Sequence, residues 1–191
     1  MDDYLSADPP GPPLCYNIKM LNENIFYFLN SFAGKSALGD IAIYFLAEIL
    51  PWLLVAGLII YIFLAKDKRA TGRLVAISLL SALIAWFLIS LFKYNIHSPR
   101  PFETLNIKPV FLTEAGDSMP SGHATFLGAL AIAIYCQKKR LGWLFILGAL
   151  VVGLARIVAG IHWPLDVGVG FIVGFIISTS LYFLSKRFHL I

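Results

Sequence analysis

The chain has 191 residues, a length that suggests one domain, and 59% of them are hydrophobic, well above the roughly 45–50% of soluble globular chains. With a mean hydropathy of +0.79, that composition excludes an ordinary soluble protein and predicts an integral membrane protein. The formal charge of +4 does not imply a nucleic-acid partner, because the basic residues fall at the ends of apolar runs rather than in one stripe and no aromatic-basic RNA motif accompanies them.

The first twenty residues, MDDYLSADPPGPPLCYNIKM, are acidic and proline-rich and lack the apolar h-region of a secretory signal; residues 1–21 read as a flexible tail. NENIFYFLNSFAG (22–34) has apolar residues at 25, 26, 28, 29 and 32. That helical pattern is too brief to span a membrane and predicts an interfacial helix over 22–36. A bilayer core of about 30 Å asks for roughly 20 apolar residues per helix. Five segments approach or exceed this: 41–65, 74–92, 121–137, 141–161 and 167–185. The third is short and becomes apolar only at Ala124, so its first turn is expected at or just below the membrane surface. No repeat or second domain stands out. The chain predicts one all-α integral membrane domain over 1–191, with a bundle of five to six transmembrane helices over 37–187.

Lys and Arg collect in KDKRATGR (66–73), KKR (138–140) and the pair at 186–187, nine of the fifteen in the chain. If five helices alternate, these nine share one face, which the positive-inside rule makes cytoplasmic. The loop 93–120, the turn GIHWPLDV (160–167) and the N-terminal tail then share the other face. Cys15 and Cys136 fall a membrane thickness apart, too far for a disulfide, and neither has metal-ligand spacing.

Three motifs gather on the non-cytoplasmic face. KYNIHSPRPF (93–102) follows nineteen uncharged residues and sets Lys93, His97 and Arg100 at the helix exit. MPSGHATF (119–126) opens the third span, with Ser121 as N-cap, Gly122 where a ligand can approach the backbone, and His123 in the first turn. ARIVAGIHWPLDV (155–167) joins the fourth span to the fifth: Gly160 ends one helix, Pro164 begins the next, and His162 lies four residues before Asp166. The first N–H groups of a helix are unpaired and its dipole is positive there. Three fixed cations, two histidines, one carboxylate and such a helix start suit a phosphate. Each motif also has a plainer reading: basic flanks of a membrane helix, an interfacial histidine, an Asp that favours the helix dipole. Arg156 lies within an apolar run, where a charge is expensive. It needs an anionic partner, either Glu48 or a bound phosphate.

Lys-x6-Arg-Pro at 93–101, Pro-Ser-Gly-His at 120–123 and Arg-x5-His-x3-Asp at 156–166, in that order, resemble the signatures of the type 2 phosphatidic acid phosphatase superfamily. One departure is Ala155, where the third signature usually carries Ser before its Arg. The short helix, then SALGDIAIYFLAEILPW (36–52) and a basic loop, are similar to the bacitracin-resistance-type undecaprenyl pyrophosphate phosphatases of that superfamily. There the second signature often has Asp where Gly122 stands.

The resemblance implies a metal-independent lipid phosphatase of the bacterial plasma membrane, with no cofactor and its site on the non-cytoplasmic face. It implies His162 as nucleophile through a phosphohistidine, Asp166 as its orienting partner, and His123 as acid and then base. Lys93, Arg100, Ser121, Gly122 and Arg156 would bind phosphate. No metal site is expected, since the loop acids Glu103, Glu114 and Asp117 lack a ligand-like arrangement. The leading substrate is undecaprenyl pyrophosphate, which connects the chain to cell-wall biogenesis and bacitracin resistance. Phosphatidic acid, phosphatidylglycerol phosphate, lipid A phosphates and phosphotransfer to another lipid are the alternatives. A small transporter or assembly partner that only binds anionic lipid would need no His162–Asp166 pair. The oligomeric state is not legible.

Overall fold

The computed structural model describes residues 14–93, 96–112 and 116–188, without the side chain of Cys15. Helix α1 (Leu14–Asn30) comes first. A continuous helix from Ala37 to Leu64 then comprises α2 (Ala37–Tyr44), a π-helical turn (Phe45–Ile49) and α3 (Leu50–Leu64). Helix α4 (Lys68–Lys93), the short α5 (Pro101–Leu105), α6 (Gly122–Gln137), α7 (Lys139–Val158) and α8 (Pro164–Arg187) complete the described chain. Among the described residues there is no strand. Four helices are long and apolar enough to cross a membrane, and α6 is a shorter apolar helix. The chain is an all-α, multi-pass membrane protein of the expected kind.

The first helix differs from its expected bounds. Rather than covering 22–36 after a tail to residue 21, α1 begins at Leu14 and ends at Asn30. The last proline of the Pro-rich start is Pro13, and nothing after it forbids helix. The rest of the expected tail, 1–13, lies outside the described residues. What docks α1 is a stripe four residues apart rather than the apolar set alone. Asn22 Oδ1 accepts from Leu165 N at 2.9 Å, Phe26 is fully buried against Trp163, and Asn30 Nδ2 donates to Val158 O at 2.9 Å. The stripe closes the unpaired ends of both α7 and α8. The other faces of α1 expose Ile18, Leu21, Ile25, Tyr27 and Phe28.

Helix α6 is the centre of the bundle, packed on α4, α7 and α8. At 16 residues it is about 24 Å long, some 6 Å short of the hydrocarbon core. It tolerates this because its neighbours shield it: Ala124, Leu127, Ala129, Leu130, Ala131 and Ile134 are almost inaccessible. Its seam with α8 is set by two glycines four apart. A Cβ on Gly170 would lie 2.8 Å from Ser121 O, and one on Gly174 would lie 2.6 Å from Thr125 O. Backbone therefore touches backbone, and the starts of α6 and α8 lie side by side. Ser121 N donates to Asp166 O at 3.0 Å across that junction.

Candidate active site

The turn from α7 to α8 is built to present His162. Gly160 adopts φ +81°, a left-handed conformation that glycine takes without steric cost. Its N–H bonds Ile157 O at 3.0 Å and that of Ile161 bonds Arg156 O at 3.3 Å, which closes α7. Pro164 begins α8, where its missing N–H would have been unpaired anyway. Asp166 Oδ2 accepts from Trp163 N at 2.7 Å, so this carboxylate does cap the helix start.

The same oxygen also serves the histidine, mostly through an intermediary. His162 Nδ1 lies 3.5 Å from Asp166 Oδ2, long for a direct hydrogen bond. Ser118 fills the gap: its hydroxyl donates to Asp166 Oδ2 and stands 3.2 Å from His162 Nδ1. A serine hydroxyl has one proton, so with that proton on Asp166 its oxygen accepts from Nδ1–H, and the free lone pair of His162 is left on Nε2. All three side chains are buried. Burial pushes the His162 pKa down to about 4 against the opposing pull of the Asp166 carboxylate, and the ring is neutral at ordinary pH.

The start of α6 is arranged in the opposite way. Ser121 holds the N-cap position, but its side chain makes no capping bond, and its Oγ is buried without a partner. Leaving such a hydroxyl unsatisfied costs about 1–3 kcal/mol. Gly122 has a packing reason as well as room for a ligand, since a Cβ there would lie 3.4 Å from Trp86 Nε1 of α4. His123 is half-buried; its electrostatic neighbours are the cations Arg156, Lys93 and Arg100 and the ring of His162.

The three cations reach this point from three elements. Lys93, the last residue of α4, donates from Nζ to Asp117 O at 3.1 Å. Arg100 is buried and organises the loop: Nε donates to Gly116 O and Nη1 to Ile161 O, both at 3.1 Å. Arg156 on α7 pairs through Nη1 with Glu48 Oε1 at 2.8 Å and Ala47 O at 3.1 Å, while its Nε is buried and unpartnered. Of the two partners expected for Arg156, Glu48 is therefore present, and Nε remains open to a second.

His97 is exposed, Glu103 accepts from Arg100 N at 2.9 Å and Asp117 from Ser98 N at 3.0 Å, while Glu114 lies outside the described residues. From His123 an apolar groove of about 520 Å³ runs between α3, α4 and α6, lined by Pro51, Trp52, Leu83, Trp86 and Phe126 among others.

Known proteins are similar to this chain in sequence and fold. The family model described as the PAP2 superfamily matches residues 74–189, which include Lys93, Arg100, Ser121, Gly122, His123, Arg156, His162 and Asp166. The chain belongs to the PAP2 superfamily. It is 29% identical to the "Bacitracin transport permease protein BcrC" of Bacillus licheniformis, over 90% of this chain and 84% of that one. It is 28% identical to the "Undecaprenyl-diphosphatase BcrC" of Bacillus subtilis, over 85% and 83%. The crystal structure of Aquifex aeolicus LpxE superposes with a TM-score of 0.63 at 25% identity, covering 85% of this chain and 94% of that one.

Within this PAP2 chain the structure brings together Lys93, Arg100, Ser121, Gly122, His123, Arg156, His162 and Asp166. Sequence reasoning missed Ser118, which lies 44 residues from His162 and outside every motif spacing. The signal that could have found it is a short hydroxyl residue just before Pro-Ser-Gly-His, near enough to a His–Asp pair to bridge it.

Proposed function

We propose that this PAP2 protein is a membrane lipid phosphatase that hydrolyses undecaprenyl pyrophosphate to undecaprenyl phosphate and inorganic phosphate. The observation that carries the reading is the His162–Ser118–Asp166 array opening on a cation-lined seat, with His123 between that seat and an apolar groove. A lipid whose phosphates must lie among cations while its tail stays in hydrocarbon needs this pairing of environments. The names of two relatives, one an undecaprenyl-diphosphatase and one a bacitracin transport permease, support the substrate class.

In this reading His162 Nε2 attacks the terminal phosphorus in line and forms a phosphohistidine. The bond to the bridging oxygen breaks, and His123 protonates the departing undecaprenyl phosphate. His123 then takes a proton from water, which attacks the phosphohistidine, frees inorganic phosphate and regenerates neutral His162. Asp166, through Ser118, steadies the positive charge that develops on the ring. Lys93, Arg100, the Nε of Arg156, the Ser121 hydroxyl and the first N–H groups of α6 would hold the equatorial oxygens, where charge must be balanced. Cations here do the work that metal ions do elsewhere, and activity is expected in excess EDTA. Reversible loss on chelation would overturn that part.

The site is assigned to the outer face of a bacterial plasma membrane, because the nine basic residues at 66–73, 138–140 and 186–187 mark the opposite end of the bundle as cytoplasmic. In intact cells an impermeant thiol reagent should label Cys15 and spare Cys136. The reverse pattern would turn the site inward.

Phosphate release by purified protein across a lipid panel tests the substrate. Polyprenyl pyrophosphate should exceed phosphatidic acid in kcat/KM by about tenfold, or ~1.4 kcal/mol, and expression should raise bacitracin resistance. Equal turnover of phosphatidic acid or phosphatidylglycerol phosphate, with unchanged resistance, would sink the assignment and leave the phosphatase chemistry standing.

A further inference from the structure

Glu48 lies outside the three signatures, yet it touches one of their residues. The helix from Ala37 to Leu64 widens into a π turn at Phe45–Ile49, a local irregularity common at functional positions. Pro51 follows, and its missing N–H cannot reach the carbonyl four residues back, that of Ala47. That carbonyl and the Glu48 carboxylate converge on one atom, Arg156 Nη1, at 3.1 and 2.8 Å. The Arg156 side chain is 5% exposed and that of Glu48 28%. Arg156 Nε, buried and without a partner, is left as the open donor. Pro51 and Trp52, one turn beyond Glu48, line the apolar groove that ends at His123. Glu48 thus stands where groove and phosphate seat meet.

We propose that Glu48 is a positioning residue for phosphate: it aims the open edge of Arg156 at the bound phosphoryl group, and as the resident counter-ion of Arg156 it keeps the site's affinity for inorganic phosphate low enough for product to leave. This rests on the phosphate-seat reading above. The aim follows from geometry, since a guanidinium fixed at Nη1 has its Nε–H direction fixed as well. The attenuation follows from charge. Three cations hold a doubly charged product tightly, and a carboxylate 2.8 Å from one of them offsets part of that attraction in a low-dielectric setting.

Two substitutions separate the two effects. Glu48→Gln keeps an acceptor at the same reach and removes the charge; it should bind inorganic phosphate at least threefold more tightly. Glu48→Asp keeps the charge but withdraws it by one methylene from Nη1; it should bind at least threefold more weakly. The measurement is thermal unfolding of the purified full chain in detergent as a function of inorganic phosphate concentration, which yields Kd without turnover. Opposite shifts in the two variants support the proposal, because a residue that only holds the fold would move both the same way. A Kd within twofold of wild type in either variant, or shifts of the same sign, overturns it. If one variant fails to fold, the other still decides. Absence of any phosphate-dependent stabilisation in the wild type would instead remove the phosphate seat itself, and this inference with it.

Discussion

The two helix starts that meet at the site, those of α6 and α8, solve the same problem in opposite ways. At α8 the capping carboxylate of Asp166 satisfies Trp163 N and, through Ser118, His162 Nδ1, which leaves the lone pair of Nε2 free. At α6 the residue in the capping position, Ser121, caps nothing, and its hydroxyl is buried and idle. A closed start holds a reacting group still. An open start stores binding capacity for an anion, at a standing cost in stability. In the function proposed above, the chemistry belongs to one helix end and the grip on phosphate to the other.

The comparison breaks most completely at the closed start. His162→Ala should lower kcat by roughly 10³-fold or more, as expected for removal of a nucleophile. Rapid alkaline quenching with labelled substrate should find acid-labile phosphate on the wild type and none on the variant. Turnover that survives in the variant would eliminate the mechanism.

Ser118→Ala tests whether the closed start works through its serine. With the bridge gone, Asp166 and His162 face each other at 3.5 Å, and kcat should fall by roughly 10- to 100-fold with KM little changed, as expected when a nucleophile loses the group that orients it. Thr at 118 should restore part of the loss. An equal fall in kcat and rise in KM would place Ser118 in substrate binding instead.

Ser121→Ala sharpens the contrast because stability and activity should part. Replacing a capping serine usually costs about 1 kcal/mol, but this one makes no capping bond. The melting temperature should hold or rise, while KM and the inhibition constant for vanadate rise by roughly three- to tenfold, the share of one ordinary hydrogen bond. A lower melting temperature would mean that the hydroxyl does cap.

The smallest effect is on pH. The His162 pKa is lowered from 6.5 to about 4. The unfolded state therefore binds a proton first, and this residue's contribution to stability is complete above pH 6.5 and is lost as pH falls toward 4. The acid limb of kcat/KM should accordingly lie nearer 4 than 6.5. Asp166→Asn removes a contact that raises this pKa and should move the limb lower still; a limb near 6.5 in the wild type would show that the ring is wetter than its burial implies.

Much of this contrast was legible before any coordinates, and what escaped did so for physical reasons. Long apolar runs announced the spans, and the isolated charge of Arg156 announced that it needed a partner, because an unpaired ion in hydrocarbon is too costly to ignore. Helix ends were less legible. The basic turn at 68–73 extends α4 six residues before its apolar run, with Asp67 Oδ1 accepting from Ala70 N at 2.9 Å, a matter of local capping that hydropathy does not register. The π turn was not legible, since hydropathy does not register a local widening of the helix. Ser118 was hidden because a hydroxyl in a loop looks like every other loop serine until the fold sets it beside His162. The docking stripe of α1 was hidden because two of its three members, Asn22 and Asn30, are polar.

Two absent methyl groups, at Gly170 and Gly174, let main chain rest on main chain between α6 and α8. A joint of that kind has no side-chain rotamers to rearrange, so it acts as a rigid gauge. Thin or thick bilayers, which tilt the lipid-facing helices, would leave the spacing between His123 and His162 unchanged. Turnover should therefore depend on lipid chain length far less than overall helix tilt does, until a side chain is inserted in the joint.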